Sequence, residues 1–378
     1  MPGFERIDNN ELALVTKVFQ EGGVLFAHGF EKLRKRFWVR ELESKISNYF
    51  NIKHCLLTSS GTSALKIALK TIGIQPGDEV ITQSFNFIAT VEAIIDCGAK
   101  PIICGCDHNL HMDSEEVNKL ITSKTKAIIV VHMLGTPCDM ESLKRISEQK
   151  NLVLIEDACE SIGAKIHDKF SGTTADIGVF SFDYGKMITT GEGGCLLTNI
   201  SKIDKSAREY HDHGHMNLKG IPRGEDKAQN AGFNYRMTEI QAAVGHAQLE
   251  KLPQMLEDNK ARVDALINYE SITPYLREKR KYLKSNCDTL MLVRLSKKEV
   301  DNILYILNKE GIGTKNIPDA MRWHCSYYWE HCLSQEQINN SIKTKALLDH
   351  SIAIPISLNK TVDFYAQLGL KISQSLNQ

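Results

Sequence analysis

Residues 180–199 read FSFDYGKMITTGEGGCLLTN, and the rest of the chain organises around them. An apolar run ends at Ser181 and a second runs from Cys195 to Leu197. Between them lies a short polar segment carrying one lysine, Lys186, and the glycines Gly191, Gly193 and Gly194. This pattern predicts strand, loop, strand, with the lysine presented on the loop and glycines where backbone must approach closely. A lysine held this way can form a Schiff base with a carbonyl if its surroundings lower its pKa. A solvated surface lysine has the same local sequence, so the reading depends on what accompanies it elsewhere.

Upstream, short apolar runs alternate with amphipathic segments. Strands are expected at His54–Leu57, Glu79–Thr82, Pro101–Cys104, Ala127–Val131 and Leu152–Ile155. Helices are expected at Ala64–Leu69, Ile88–Cys97, a capping-box helix opened by Ser114, and Met140–Gln149. Fully apolar strands alternating with helices predict a mostly parallel sheet covered on both faces, with ligands at the carboxyl ends of its strands. Polar residues cluster at those ends. Ser59-Ser60-Gly61-Thr62-Ser63 is a small-residue turn between strand and helix, of the kind that cradles a phosphate. Glu156 and Asp157 follow a buried strand, where acids are costly unless used or serving as a helix cap.

Helices are also expected at Asn10–Phe19, Arg40–Tyr49, Ile203–Tyr210, and from Thr238, a capping-box residue with Gln241, on to Ile267. The basic, aromatic stretch Phe30–Arg40 suits either a phosphate-bearing substrate or a solvated helix face. HDHGHMN at 211–217 suits a loop better than a metal site, because no matching ligand set accompanies it. From about 270 a smaller α/β unit is expected. Its strands would lie at Asp288–Leu295, near Gly311–Lys315 and at Ile352–Ile356, with helices at Ser296–Glu310 and Ala346–His350. The aromatic stretch from Met321 to His331 either lines a ligand cleft or packs on itself.

The 378 residues, 42% hydrophobic and 24% charged, suit a globular protein of two domains, divided at 1–250 and 251–378. Lys+Arg and Asp+Glu balance at 46 each, which gives no electrostatic case for nucleic acid or an anionic membrane. The polar start and the lack of any long apolar run lead to the expectation of a cytoplasmic protein with no secretory signal and no membrane span. Ten scattered cysteines read as free thiols. No G-x-G-x-x-G follows the first strand, against a nicotinamide dehydrogenase.

Five stretches taken together resemble the DegT/DnrJ/EryC1/StrS family of pyridoxal-phosphate-dependent sugar aminotransferases. They are SSGTSAL (59–65), GDEVITQSFNFIAT (77–90), EDACESIGA (156–164), SFDYGKMITTGEGG (181–194) and GFNYRMTEIQAAVGHAQLEKL (232–252). The resemblance runs from about residue 10 to past 350. It implies the aspartate-aminotransferase fold type I: a large domain with a mixed, mostly parallel sheet between helices, and a smaller C-terminal α/β domain.

By that resemblance, Lys186 carries the cofactor, pyridoxal 5'-phosphate, as a Schiff base and moves the proton between cofactor and sugar carbons. Asp157 partners the pyridinium nitrogen and Glu160 lies near the 3-hydroxyl. Gly61, Thr62 and Ser181 hold the phosphate, and Phe87 stacks on the ring. Asn234, with Arg236 beside it, reaches the phosphate of a neighbouring subunit, which implies a homodimer with shared sites. His324 approaches the sugar. No metal is implied.

The resemblance further implies a ping-pong reaction in which glutamate converts the cofactor to pyridoxamine 5'-phosphate and a keto-sugar then takes the amine. The first expectation for that sugar is a nucleotide-linked keto-deoxysugar for a surface polysaccharide or glycan. The alternative is a free keto- or aldehydo-sugar acid, because MPGFE, DHGH and Arg223-Gly224-Glu225 are similar to the aminotransferase that makes 8-amino-3,8-dideoxy-octulosonate. Some relatives that dehydrate the sugar replace the lysine with histidine, and iron-sulfur relatives that also dehydrate carry a cysteine cluster; Lys186 and the scattered cysteines here favour transamination. A non-catalytic sugar-binding relative would need neither Lys186 nor Asp157.

Overall fold

Seven strands form the central sheet of the computed structural model, which describes residues 2–377 except 219, 227–229, 278–282, 285–287 and 315–316. They are β1 (His54–Thr58), β2 (Glu79–Gln83), β3 (Lys100–Cys104), β4 (Thr125–Val131), β5 (Val153–Asp157), β6 (Ile177–Ser181) and β7 (Gly194–Thr198). Their order across the sheet is β1-β7-β6-β5-β4-β2-β3. Only β7 runs against its neighbours β6 and β1; the other pairings are parallel. The mixed, mostly parallel sheet is therefore as expected.

Alternation along β4 explains why both faces are covered. Ala127, Ile129 and Val131 point into one core, with Leu65, Ile67 and Ile94 of the crossing helices. Ile128 and Val130 point into another, with Leu143 of the helix Met140–Lys150. Parallel strands bring Thr58, Gln83, Val131, Asp157 and Ser181 to one edge of the sheet, and the antiparallel β7 starts there with Gly194. The polar segments after these strands thus converge.

The helix Glu239–Leu266 is capped as expected: Thr238 accepts the Gln241 N–H and Gln241 reaches back to the Thr238 N–H. It continues unbroken past Pro253, so the expected division after residue 250 falls inside it. From Val263 its last turns join a second core with the helices Lys297–Lys309 and Val362–Leu376. These cover the antiparallel pair β8 (Thr289–Leu292) and β9 (Ile352–Pro355).

Several local expectations need correction. No strand forms among the described residues of Gly311–Lys315; Ile317 beyond them gives its carbonyl to the Ala353 N–H at 3.0 Å. The helix near Ser114 is capped one residue earlier, by Asp113, whose carboxylate accepts the Glu115 and Glu116 N–H groups. No helix follows Asp157, and both acids belong to β5 itself.

Glu156 is fully buried and structural. Its Oε1 accepts from the Thr174 N–H and hydroxyl and the Ala175 N–H at 2.6–2.8 Å. Its Oε2 takes the Gly172 N–H at 2.7 Å and His132 Nε2 at 3.0 Å. Burial lowers the His132 pKa, while Cys138 and Glu156 raise it to about 9. Yet His132 Nδ1 accepts the Cys138 N–H at 3.1 Å, and protonation there would set two donors against each other. The geometry therefore favours a neutral ring donating from Nε2. Glu156→Gln would turn an amide NH₂ toward two or three of these donors. We expect a loss of about 3 kcal/mol in stability, read from the urea midpoint. A loss below about 1 kcal/mol would show that the cluster tolerates a donor, against its fixed polarity.

Candidate active site

The strand ends enclose a cleft of about 610 Å³. Gly61, Thr62, Phe87, Asp157, Glu160, Ser181, Lys186 and His324 all line it, so eight of the ten residues singled out in the sequence meet in one place. Asn234 and Arg236 do not line it. Asn234 is exposed in the bridge Asp212↔Asn234, and the Arg236 guanidinium is bound to Asp212 with that of Arg223.

At one end of the cleft the helix Gly61–Thr71 begins. Its cap, Ser60, takes the Ser63 N–H at 3.0 Å. Among the described residues the N–H groups of Gly61 and Thr62 have no protein acceptor. A side chain at Gly61 would stand 2.9 Å from Ser181 Cβ, so the glycine keeps this mouth open. Two free amides, a helix dipole and the Ser181 hydroxyl make a cradle for a phosphoryl group.

Asp157 lies at the base. It is buried, accepts Thr90 Oγ1 at 2.7 Å and the Cys159 N–H at 3.2 Å, and has no cation within ion-pair distance among the described residues. A buried carboxylate without a cation suits a ligand that brings its own, such as a protonated ring nitrogen.

Lys186 stands between these ends. Its Nζ is 3.6 Å from Glu160 Oε1. Glu160 Oε2 accepts the Leu134 N–H at 3.1 Å, and Leu134 adopts a left-handed conformation, φ 53°, to present it. Burial pushes the Lys186 ammonium toward deprotonation, but Glu160 and the other negative neighbours outweigh it and hold the pKa above the ordinary lysine value. The lowered pKa on which Schiff-base reactivity depends is therefore not supplied by the charges around Lys186 in the cofactor-free chain. Burial would raise Glu160, but Lys186 and His324 bring it below the usual carboxylate value.

His324 Nδ1 bonds the Ala320 carbonyl at 2.9 Å, which places the proton on Nδ1 and turns Nε2 toward Glu160, 3.9 Å away. The ring centroids of Phe87 and His324 are 5.8 Å apart.

The lysine loop is also braced by the start of the chain. The Gly3 N–H donates to the Lys186 carbonyl at 3.0 Å, and Phe4 stacks on Tyr184 with centroids 4.8 Å apart. Glu5 takes the Ser357 hydroxyl and the Leu358 N–H, tying this segment to the C-terminal part.

Other expectations resolve differently. In Phe30–Arg40, Arg34 pairs with buried Glu239, Arg36 pairs with Glu41, and Arg40 stacks on Phe37. These arginines serve packing more than a solvated face. In HDHGHMN, Asp212 gathers Asn217, Arg223 and Arg236, and His211 ends a helix. No cluster of three potential metal ligands occurs among the described residues. The aromatic stretch 321–331 divides: Trp329 is fully buried while Trp323 lines the cleft. Thr90, Asp183, Glu192, Asp288 and Asp319 also line the cleft without having been singled out. Thr90 lies in the first turn of the helix Ile88–Asp96 and its hydroxyl reaches back to Asn86 Oδ1, ahead of that helix, at 3.0 Å.

A profile of the DegT/DnrJ/EryC1/StrS aminotransferase family matches residues 7–363, and the chain belongs to that family. Its fold is that of the pyridoxal-phosphate-dependent aminotransferases. A putative sugar aminotransferase of Streptococcus pneumoniae, solved in its PLP form, superposes with a TM-score of 0.80 at 22% identity, covering 98% of this chain and 97% of that one. GDP-perosamine synthase of Caulobacter vibrioides is 40% identical over 220 residues, 58% of each chain. That of Vibrio cholerae is 36% identical over 237 residues, 62% of each. The chain therefore spans about three-fifths of the length of these curated relatives. No helix among the described residues is long and apolar enough to cross a membrane.

Proposed function

We propose that the chain is a pyridoxal-phosphate-dependent aminotransferase that moves an amino group from glutamate to a keto-sugar. The observation that carries this reading is the convergence in one cleft of Lys186, Asp157 and the N–H groups of Gly61 and Thr62, which have no acceptor among the described residues. These residues fit the cofactor at both poles, phosphate and ring nitrogen. Bound pyridoxal phosphate supplies an electron-withdrawing ring to which an amine can be attached.

The chain's own residues do the rest. Gly61 and Thr62 hold the phosphate from the helix N-terminus, with Ser181 beside them. The Asp157 carboxylate keeps a proton on the ring nitrogen by its charge, and Thr90 orients that carboxylate. Lys186 Nζ takes and returns a proton at the reacting carbon, and Glu160 stabilises its ammonium. His324, with Nδ1 fixed on a carbonyl, faces the same space.

Among the described residues the cleft lining holds six carboxylates, Asp157, Glu160, Asp183, Glu192, Asp288 and Asp319, against Lys186 and His324. Glutamate brings two carboxylates, and the described residues of this acidic lining offer them few cations. A homodimer with shared sites, in which exposed Asn234 and its neighbour Arg236 serve the partner's cleft, answers that need.

The acceptor is a nucleotide-linked keto-deoxysugar, in keeping with the relatives named GDP-perosamine synthase. The acidic lining favours a second reading, a free sugar acid with one carboxylate, over a substrate with a charged diphosphate. The test is a visible spectrum of the protein incubated with pyridoxal phosphate. A band that shifts when glutamate is added supports the reading, and a protein that stays colourless defeats it. GDP-4-keto-6-deoxymannose or an oxidised octulosonate, offered next, decides between the acceptors by which one restores the band.

A further inference from the structure

The chain has three tryptophans. Trp38 and Trp329 are 2% and 0% exposed, whereas Trp323 is 58% exposed. Trp323 is not on a loose loop. Its N–H bonds the Ala320 carbonyl at 3.0 Å, and buried Trp329 donates from Nε1 to the Arg322 carbonyl at 2.8 Å. On the other side the Asn86 N–H bonds the His324 carbonyl at 3.0 Å and the Ser326 N–H bonds the Ser84 carbonyl at 2.9 Å. The fold therefore holds a large indole in water, at the cleft, from both flanks. Asp288 and Asp319 line the same cleft.

We propose that Trp323 is the platform on which the sugar ring of the acceptor stacks, with Asp319 and Asp288 accepting its hydroxyls. This rests on the chain being a sugar aminotransferase. A sugar ring offers one face of C–H bonds and a rim of O–H donors. The first suits an aromatic surface and the second suits carboxylates, whose hydrogen bonds are charge-assisted. These acids disfavour a diphosphate at this position, Asp288 less so because burial and then Glu160 push its carboxyl up to about 6.

A purine also stacks on indole, and guanine can donate to a carboxylate. What favours the sugar is adjacency. Trp323 precedes His324, whose ring lies beside Phe87 and whose Nε2 faces Glu160, itself 3.6 Å from Lys186. The atom that accepts the amine belongs to the sugar, so the sugar, not the base, must come close to this lysine.

The experiment measures acrylamide quenching of tryptophan emission in the cofactor-loaded protein, because only Trp323 is open to the quencher. The probes are GDP-mannose, GDP alone and 3-deoxy-octulosonate. A several-fold fall in quenching with GDP-mannose but not GDP supports the proposal with the ring carried on a nucleotide. Protection by the octulosonate supports it with the ring carried as a free acid. Equal protection by GDP and GDP-mannose would mean that the base occupies the platform, and the proposal fails. It also fails if no probe protects. Trp323→Ala should raise KM for the acceptor about tenfold or more, and Trp323→Phe should restore most of that. A KM that stays put in Trp323→Ala overturns the assignment. The glutamate-induced spectral shift of the unaltered protein reports on the aminotransferase reading separately, so the two can fail independently.

Discussion

Lys186→Ala is expected to abolish amine transfer and leave the fold in place. The lysine is the basic group of the cleft wall nearest the carboxylate of Glu160, and among the described residues it is the only lysine or arginine there. No other described side chain of that wall can both attach to a carbonyl and carry a proton at the reacting carbon. Loss of the proton-transfer role alone costs about 10²–10⁴-fold in rate, and loss of the attachment point adds to that. Stability should change little. Lys186 makes no tight ion pair, at 3.6 Å from Glu160, and Glu160 keeps the Leu134 N–H. One consequence is specific: without the ammonium, the Glu160 carboxyl loses its main charge partner and its pKa rises from the depressed value. The check is glutamate-dependent amine transfer together with a thermal melt. Turnover within tenfold of the unaltered protein would remove Lys186 from the mechanism.

Asp157→Asn should cost nearly as much rate by another route. The carboxylate accepts at both oxygens, from Thr90 Oγ1 and from the Cys159 N–H. An amide of the same shape can keep both contacts, with its oxygen on the Cys159 N–H and its NH₂ on Thr90 Oγ1, whose own proton can go to Asn86 Oδ1 at 3.0 Å. Stability should therefore fall by less than about 1 kcal/mol. The larger effect is electrostatic. A neutral amide no longer favours a proton on the ring nitrogen, so the ring withdraws electrons less strongly. We expect the cofactor to bind, the glutamate-induced spectral change to slow by about 10²-fold or more, and stopped-flow absorbance to resolve it. Near-normal rates in this variant would leave Asp157 a structural acid like its neighbour Glu156.

Much of this site could be read from the chain because its parts are local. Strands β1, β5 and β6 are apolar runs, and the functional residues stand at or just after their ends. Their convergence follows from parallel pairing, which the alternation with helices had implied. What could not be read depends on long-range contact. His132 meets Glu156 across 24 positions, so the two adjacent acids of β5 looked alike in the sequence although one is saturated with donors and the other faces a cleft. The sign of the Lys186 shift reflects carboxylates brought in from separate segments. Trp323, Asp319 and Asp288 reach the cleft only because the second core docks beside the sheet, and no periodicity encodes that docking. The strand expected at Gly311–Lys315 is not seen among its described residues, where Ile312 is the one apolar side chain and packs into the second core, while β8 pairs with β9 from far downstream.

The contact between Gly3 and the Lys186 carbonyl bears on how the protein is handled. A Cβ at Gly3 would lie 2.6 Å from that oxygen, so even the smallest side chain pushes on the lysine loop. An affinity tag or immobilisation linker fused just ahead of this glycine would pull on the same loop and depress catalysis in a preparation that otherwise looks sound. The opposite end is the better anchor point, since the helix Val362–Leu376 lines the second core and none of its residues lines the cleft.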